Sequence, residues 1–219
     1  MDIILGNILI QPNVVTKDGC KYLTDYTRKA QKDIMAVYDA DKSNKTKTDQ
    51  RKIDTKVRDV KCADIIPILP EVKELYDNIV INVINPFYNL TIRDSEVPQF
   101  LYYEKGGHYK PHYDAEALWT NPDGTQQWKK SVDRDISTIL FLNADFEGGE
   151  FIFPKYRIRI RPEPGLLVAF PSTHHYLHGV EPVTSGDRIV SVCWMRVNGV
   201  PTKEEQDKEI ADKYGIEVY

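Results

Sequence analysis

The sequence predicts a mainly β fold with supporting N-terminal helices. From about residue 97 onward, short apolar runs alternate with turn residues: QFLYY, STILFLN, EFIF, RIRI, GLLVAF and RIVSVCWMRV. Several short strands spaced by Gly and Pro are typical of a β-sandwich or barrel. Before this point, apolar residues instead recur at helical spacing in two stretches.

The length of 219 residues suits a single domain with a core of useful size. We expect residues 1–96 to form a helical support region with a flexible flap. Residues 97–198 form the β core, and residues 199–219, which contain KEEQDKEIADKYG, form a C-terminal helix. We find no internal repeat and no linker that divides this domain.

Two helices are expected in the first region. The first begins at Thr16-Lys17-Asp18 and continues with apolar residues at helical spacing: Cys20, Leu23, Tyr26 and Ala30. Pro70 opens the second. Between them, residues 39–59 are rich in lysine, aspartate and threonine, which predicts a solvated loop or flap.

Three further segments have a predicted local structure. Glu147-Gly148-Gly149-Glu150 predicts a hairpin turn between two strands. Alternation of basic and apolar residues over 155–161 predicts a strand with its cations, Lys155, Arg157, Arg159 and Arg161, on one outer face. The insertion 117–132 is polar but contains two tryptophans, which fits either a mobile lid or a segment packed on the barrel.

Composition bears on partners and compartment. The formal net charge is −4, so no global charge calls for nucleic acid or an acidic membrane. The three cysteines are widely separated and form no CxxC pair, which favours a reducing compartment. With neither a signal-like N-terminus nor an apolar stretch long enough to span a membrane, we expect a cytoplasmic location.

The five histidines fall in two short segments, YYEKGGHYKPHYD and STHHYLHGVEPV. His112 and Asp114 are two residues apart in a strand-like context, so both side chains point to one face. With His178 they would form a set of two histidines and one carboxylate, which leaves metal positions open. This set is typical of non-haem Fe(II) oxygenases, but zinc accepts it too, and the chemistry would then be hydrolysis.

Arg188 follows His178 by ten residues, after a Ser-Gly turn. A guanidinium there can bind a carboxylate through two parallel hydrogen bonds, as the far end of a dicarboxylate co-substrate requires. A zinc hydrolase has no need of such an anchor. Taken alone, Arg188 is better interpreted as a surface arginine, but beside the metal set the carboxylate anchor is the favoured interpretation.

Six short motifs follow one another along the second half of the chain. They are residues 103–114 (Y-x-x-G-G-x-Y-x-P-H-x-D), Phe146-Glu-Gly-Gly-Glu150, Pro164-Gly165, His178-Gly-Val-Glu-Pro-Val183, Gly186-Asp-Arg188 and Trp194. This combination resembles the prolyl 4-hydroxylase branch of the Fe(II)/2-oxoglutarate-dependent dioxygenases. The resemblance covers roughly residues 97–196, about half of the chain. It implies a double-stranded β-helix, or jelly roll, with iron at the mouth of the barrel.

The same resemblance implies roles for individual residues. His112, Asp114 and His178 would bind Fe(II), Arg188 would pair with the distal carboxylate of 2-oxoglutarate, and Tyr103 would hydrogen-bond this co-substrate. Trp194 and Arg134 would lie near the substrate. Phe141 stands where relatives often have a tyrosine, so a second hydroxyl contact to 2-oxoglutarate is in doubt. Trp194 also replaces the second arginine of nucleic-acid demethylating members, which excludes that branch.

The implied activity is hydroxylation of proline in a protein or peptide, with Fe(II), 2-oxoglutarate, O₂ and ascorbate as the reductant. One alternative is hydroxylation of a free amino acid or another small molecule at the same iron. Another is a non-catalytic metal-binding or interaction module. The complete metal set and Arg188 argue against a non-catalytic module, because a site that no longer catalyses a reaction has no physical need for both the metal ligands and a carboxylate anchor. The oligomeric state is left open.

Overall fold

The structure is a computed structural model that describes residues 3–38 and 51–215. The strands of the first region and the sheet core are β1 (Ile3–Leu5), β2 (Ile8–Gln11), β3 (Lys32–Ile34), β4 (Val37–Tyr38), β5 (Arg51–Lys52), β6 (Arg58–Asp59), β7 (Lys61–Ala63), β8 (Ile92–Ser95), β9 (Gln99–Tyr103) and β10 (His108–His112). The later strands are β11 (Glu116–Thr120), β12 (Gln126–Lys130), β13 (Ile136–Phe141), β14 (Glu147–Gly148), β15 (Phe151–Phe153), β16 (Ile158–Ile160), β17 (Leu167–Pro171), β18 (His178–Val180), β19 (Val183–Ser185) and β20 (Arg188–Val197). The helices are α1 (Lys17–Lys29), α2 (Leu69–Ile79), α3 (Asn85–Tyr88) and α4 (Lys203–Tyr214).

Two antiparallel sheets form the body of the described chain. The larger has the order β1-β2-β17-β13-β20-β9-β7-β3, with β8 also paired to β20. The smaller has the order β16-β15-β18-β10-β6. This arrangement confirms the predicted mainly β fold of the double-stranded β-helix type. The predicted strands QFLYY and RIVSVCWMRV coincide with β9 and β20.

Alternation along the central strands separates two apolar cores. On β20, Ile189, Cys193 and Met195 pack with residues of α1 and α2, whereas Val190 and Val192 pack with residues of the smaller sheet such as Phe151. Successive side chains of a strand point to opposite faces, so the larger sheet is buried on both sides. The fold therefore has three layers: helices, the larger sheet and the smaller sheet.

The two predicted helices form where expected. Thr16 is the N-cap of α1, and its hydroxyl accepts a hydrogen bond from the Gly19 backbone N–H at 3.1 Å. Leu23 of α1 and Val72 and Tyr76 of α2 are buried against the larger sheet. Burial of one apolar face explains why these segments are helical despite their polar opposite faces.

The first region contributes more strand than predicted. In addition to the helices, β1, β2, β3 and β7 extend both edges of the larger sheet, and β6 completes the smaller one. The predicted flap spans residues 39–59, of which 39–50 lie outside the described residues. In the described remainder, β5, β6 and a turn at residues 55–57 replace the expected loop.

Two local predictions were wrong. The segment Glu147–Glu150 does not close a hairpin, because β13 and β15 belong to different sheets and the segment carries the chain from one sheet to the other. The basic segment is not one alternating strand, because Pro154–Tyr156 form a 3₁₀ turn and Arg157 is left-handed, with φ 56°. Only Ile158–Ile160 remain in β16, so the four cations do not share one strand face.

Within the described ranges, no helix is long and apolar enough to cross a membrane. The predicted C-terminal helix is present as α4. It begins with a capping box in which Thr202 and Glu205 bond each other's backbone N–H groups.

Core packing generates a stability prediction. Leu167 lies in β17 with 0% of its surface exposed, between the larger sheet and the helices. We expect Leu167→Ala to lower the free energy of unfolding by about 2–5 kcal/mol, because a cavity remains. The control is Leu118→Ala, where 49% of the side chain is exposed and the expected change is within about 0.5 kcal/mol. Equal urea midpoints for the two variants would contradict this packing.

Candidate metal centre

Strand pairing brings the predicted ligands together. In the smaller sheet β10 pairs antiparallel with β18, and His112 lies directly opposite His178. The sequence pattern placed Asp114 in the same strand as His112. In the structure β10 ends at His112, and Asp114 lies in the bend that follows. One ligand atom from each of the three residues lies within 4.8 Å of the others. Among the residues that the structure describes, no other such group of His, Cys, Asp or Glu is found.

The two histidines present the same nitrogen to the centre. Nδ1 of His112 donates to the carbonyl oxygen of Lys110 and Nδ1 of His178 to that of Tyr176, both at 2.9 Å. A carbonyl oxygen only accepts, so the proton is on Nδ1 and the Nε2 lone pair is free. The Nε2 atoms lie 3.7 Å and 3.4 Å from the two carboxylate oxygens of Asp114.

Asp114 is oriented from the larger sheet. Ser137 of β13 donates its hydroxyl to Oδ2 of Asp114 at 2.7 Å and lies 2.7 Å from the hydroxyl of Ser172. Burial alone would raise the pKa of Asp114, but His178, His112 and the Ser137 hydroxyl outweigh it and lower that pKa to about 2. Burial and the neighbouring His178 lower the pKa of His112 to about 3. A charged carboxylate and a neutral imidazole are the forms that bind a metal ion.

Arg188 is a buried cation with no anionic partner. It is the largest fully buried side chain, 1% exposed, and none of its three guanidinium nitrogens has a hydrogen-bond partner in the described part of the chain. The rings of Tyr103 and Phe141 lie 4.8 Å and 5.2 Å from Cζ. Burial lowers the pKa of Arg188, yet an arginine guanidinium stays protonated in proteins. Such a charge is costly unless an anion accompanies it.

The residue pair Gly148-Gly149 makes room for this arginine. Gly149 has φ +64°, and a Cβ atom built on it would lie 3.0 Å from Cδ of Arg188. A Cβ atom on Gly148 would lie 2.4 Å from the carbonyl oxygen of Pro182. The crossover between the sheets therefore needs glycine, both for its backbone conformation and for close approach to Arg188.

One cavity connects the metal ligands with Arg188. It is lined by the three ligands and by Tyr103, Tyr109, Ser137, Trp194 and Arg58, with apolar walls from both sheets. The position of Tyr103 is compatible with its predicted hydrogen bond to 2-oxoglutarate, which stays a prediction. Phe141 packs its ring beside Arg188, so a hydroxyl is indeed missing at that position.

Trp194 lines the cavity, and Arg134 lies behind it. The Cζ atom of Arg134 is 3.6 Å from the centre of the Trp194 ring, and its Nε and Nη2 donate to both carboxylate oxygens of Glu96 at 2.5 Å and 2.9 Å. The predicted contact of Arg134 with the substrate stays a prediction. The observed contacts place the Arg134 guanidinium against the indole ring of Trp194, which lines the cavity.

The insertion 117–132 forms the hairpin β11–β12, which is anchored at both ends. Trp128 stacks on His174 at 4.6 Å, and His174 Nδ1 lies 2.5 Å from a carboxylate oxygen of Glu116. On the other side, Lys129 pairs with Asp207 of α4 at 2.5 Å. Of the two alternatives for this insertion, packing fits Trp128, which stacks on His174. Trp119 is 49% exposed.

Sequence reasoning missed four residues that contact the site: Ser137, Tyr109, Gly149 and Arg58. Tyr109 and Gly149 lie inside the motifs that carried the resemblance, so their positions were available but no role was given to them. Ser137 is an ordinary strand residue in the sequence. Arg58 lies in the predicted flap, and no local signal distinguishes it from a solvated cation.

Comparison with known proteins agrees with this geometry. Residues 98–196 match the family model of the 2OG-Fe(II) oxygenase superfamily. The chain is 36% identical over 107 residues to prolyl 3-hydroxylase 2 of Gallus gallus, which covers 45% of this chain and 15% of that protein. It is 37% identical over 134 residues to a PKHD-type hydroxylase of Crocosphaera subtropica, which covers 58% of this chain. The chain spans 55% of the length of that relative.

Solved structures share the fold at lower identity. The viral collagen prolyl hydroxylase of Paramecium Bursaria Chlorella virus-1 superposes with a TM-score of 0.57 at 17% identity and covers 87% of this chain and 96% of its own. A prolyl hydroxylase of Trichoplax adhaerens, solved with a hypoxia inducible factor peptide fragment, gives 0.61 at 16% and covers 93% and 86%.

The matched segment contains His112, Asp114, His178, the buried Arg188 and the strands that carry them. Residues 98–196 are therefore similar to the 2OG-Fe(II) oxygenase superfamily, and this similarity includes the positions of the candidate site.

Proposed function

We propose that this protein is an Fe(II)- and 2-oxoglutarate-dependent dioxygenase that hydroxylates proline residues in a protein or peptide. The observation that carries the co-substrate is Arg188. Its guanidinium is buried and charged, has no acidic partner among the described residues, and lies in the same cavity as the candidate metal ligands. The distal carboxylate of 2-oxoglutarate would supply the missing anion and the hydrogen bonds.

The residues present fit Fe(II) as well. His112, Asp114 and His178 offer two neutral imidazole nitrogens and one carboxylate on one side of a cavity, which leaves positions for a chelating keto acid and O₂. Bound there, iron with 2-oxoglutarate and O₂ would supply oxidation of a C–H bond to an alcohol, in which one oxygen atom of O₂ enters the alcohol and the other enters succinate as CO₂ is released. Ser137 and the carbonyl groups of Lys110 and Tyr176 fix the ligand orientations before the metal binds.

Zinc-dependent hydrolysis uses the same ligand types, but Arg188 does not suit it. A hydrolase needs a bound water and a base, whereas an unpartnered guanidinium deep in the cavity requires an acid with a second charged end. The apolar walls of the cavity, including Phe151, Val180 and Val192, also favour exclusion of water over its activation.

Proline as the target is supported by the names of relatives. The sequence resemblance favours carbon 4 of proline, and the prolyl 3-hydroxylase relatives favour carbon 3. Ascorbate as the reductant and the cytoplasm as the location belong to the same proposal. All three cysteines are free, which supports a reducing compartment.

The proposal is tested with proline-rich peptides, iron, ascorbate and 2-oxoglutarate. We expect the mass of one oxygen atom to be added on proline, and hydroxyproline standards then distinguish carbon 3 from carbon 4. Succinate release without peptide modification, but stimulated by a free amino acid, would replace the peptide substrate by a small molecule. Full activity of iron-free, zinc-loaded protein would contradict an oxygenase.

Arg188 gives a prediction for co-substrate binding. Removal of one partner of a buried charge pair costs about 2–5 kcal/mol, so Arg188→Ala should raise the KM for 2-oxoglutarate roughly 30-fold or more. Arg188→Lys should recover part of the loss, because the charge returns without the two-pronged geometry. Iron content should not change in either variant.

The matched control is Arg196→Ala on the same strand. Arg196 pairs with Asp94 and does not line the cavity, so its KM should equal that of wild type. A wild-type KM in Arg188→Ala, measured by succinate release, would show that another residue anchors the co-substrate.

Gly149 gives a prediction about the crossover. Gly149→Ala places a methyl group against Cδ of Arg188 and the side chains of Phe146 and Val183. Overpacking costs about 1–3 kcal/mol, so we expect the KM for 2-oxoglutarate to rise roughly fivefold or more with unchanged iron content. Gly124→Ala is the control, because Gly124 has φ +82° but no atom within 4 Å of an added Cβ. Equal KM values for the two variants would remove Gly149 from this role.

A further inference from the structure

A second arginine lines the cavity without a sufficient partner. Arg58 lies on β6, which pairs with β10 next to the metal ligands, with Arg58 opposite Tyr109. It is 9% exposed. Among the described residues, only Arg58, Gln99 and Arg188 have buried side-chain polar atoms with no hydrogen-bond partner, and both arginines line the same cavity.

The contacts of Arg58 leave its hydrogen-bonding capacity largely unused. Nη1 lies 3.5 Å from the carbonyl oxygen of Ala36, at the limit of a hydrogen bond, and the buried Nε has no partner. The guanidinium lies over the ring of Tyr109, 4.7 Å from its centre, and Tyr109 stacks on His112 at 3.5 Å. Ring contacts stabilise a cation only modestly and satisfy no N–H donor along the guanidinium edge.

2-Oxoglutarate does not account for Arg58. This co-substrate has two carboxylates, of which one chelates the metal and the other is matched by Arg188. With Fe(II), 2-oxoglutarate, Asp114 and both arginines counted, positive charge in the cavity exceeds negative charge by a single unit. A buried excess charge is unfavourable unless the remaining ligand is an anion.

We propose that Arg58 binds a carboxylate of the substrate, adjacent to the proline that is hydroxylated. The reference to proline rests on the proposed function, whereas the anion site rests on Arg58 itself. The carboxylate is either the side chain of a neighbouring acidic residue or the free α-carboxylate of a terminal proline. Both present two oxygens that fit the guanidinium fork.

The competing explanation is purely structural. Arg58 would then only support the Tyr109–His112 stack, as a positioning residue for the metal ligand. Its removal would lower iron affinity and weaken every peptide equally. Carboxylate recognition instead predicts a loss that depends on the charge of the peptide and leaves iron affinity unchanged.

Three short peptides separate these cases. The first has a glutamate beside a central proline, the second has glutamine there, and the third is the glutamine peptide ended at the proline with a free α-carboxylate. Their affinities are measured by fluorescence anisotropy with zinc-loaded protein and 2-oxoglutarate, so binding is read without turnover. At least one of the two carboxylate peptides should bind roughly tenfold or more tightly than the neutral peptide. The peptide that binds more tightly then shows whether Arg58 recognises an acidic side chain or a terminal α-carboxylate.

Variants of the protein complete the test. Arg58→Gln should remove the preference for the acidic peptide and leave the neutral peptide unaffected, and Arg58→Lys should retain part of the preference. Arg161→Gln removes the same charge from an exposed residue that does not line the cavity, and should keep the full preference. Thermal unfolding and iron content are measured for each variant. The peptide series on the wild-type protein needs no variant to fold.

The inference is overturned if the wild-type protein binds all three peptides with equal affinity. It is also overturned if Arg58→Gln keeps the tighter binding of the carboxylate peptides, or if this variant binds all three peptides more weakly by the same factor. Failure of the proposed function looks different. Acidic peptides that bind through Arg58 but gain no oxygen on proline retain the anion site and overturn the proline substrate. Acidic and neutral peptides that bind with equal affinity and are both hydroxylated retain the proline substrate and overturn the anion site.

Discussion

The pairing of β10 with β18 is the contact on which the site depends. It places His112 opposite His178, and backbone carbonyl groups of the same segments fix both imidazoles with Nε2 toward the centre. A shift of one residue in this register would turn one histidine to the opposite face of the sheet. The smaller sheet therefore supplies two candidate ligands through this register, which is irregular between Tyr109 and His112, and through the backbone carbonyl groups that orient the imidazoles. Asp114, the third candidate ligand, accepts a hydrogen bond from Ser137 of the larger sheet, so the candidate metal centre also links the two layers.

Uncompensated positive charge distinguishes the cavity from an ordinary core. The alternation of β20 directs Arg188, Val190, Val192 and Trp194 to the side of the smaller sheet, while Ile189 and Cys193 pack against the helices. A buried guanidinium with three unused nitrogens destabilises the free protein, and that cost is recovered when an anion binds. The same reasoning extends to Arg58 on the opposite sheet. Strain of this kind is expected where a fold is organised to bind a ligand rather than to be most stable.

The rim of the cavity is held by contacts distant from the metal. Arg134 joins Glu96 to the ring of Trp194, and the β11–β12 hairpin is fixed between His174 and α4 through Trp128 and Lys129. The C-terminal helix thus supports the mouth of the barrel, although it lies far along the chain from the ligands.

The sequence by itself predicted a mainly β fold, because short apolar runs separated by turn residues are a local signal, and it offered His112, Asp114, His178 and Arg188 as candidate site residues. The jelly-roll class and the role of each residue were implied by the resemblance of residues 97–196 to a known family. The strands β9 and β20 and the start of α1 at Thr16 were likewise predictable, since apolar strand patterns and helix-capping signals are local. Only the tertiary structure decided which strands share a sheet. It moved Asp114 out of β10, turned Glu147–Glu150 from a hairpin into a crossover, and broke the alternating basic segment at Arg157. Arg58 shows the reason most clearly: burial and the lack of a partner are properties of the surroundings that a side chain acquires on folding, and they leave no mark on its neighbours in the chain.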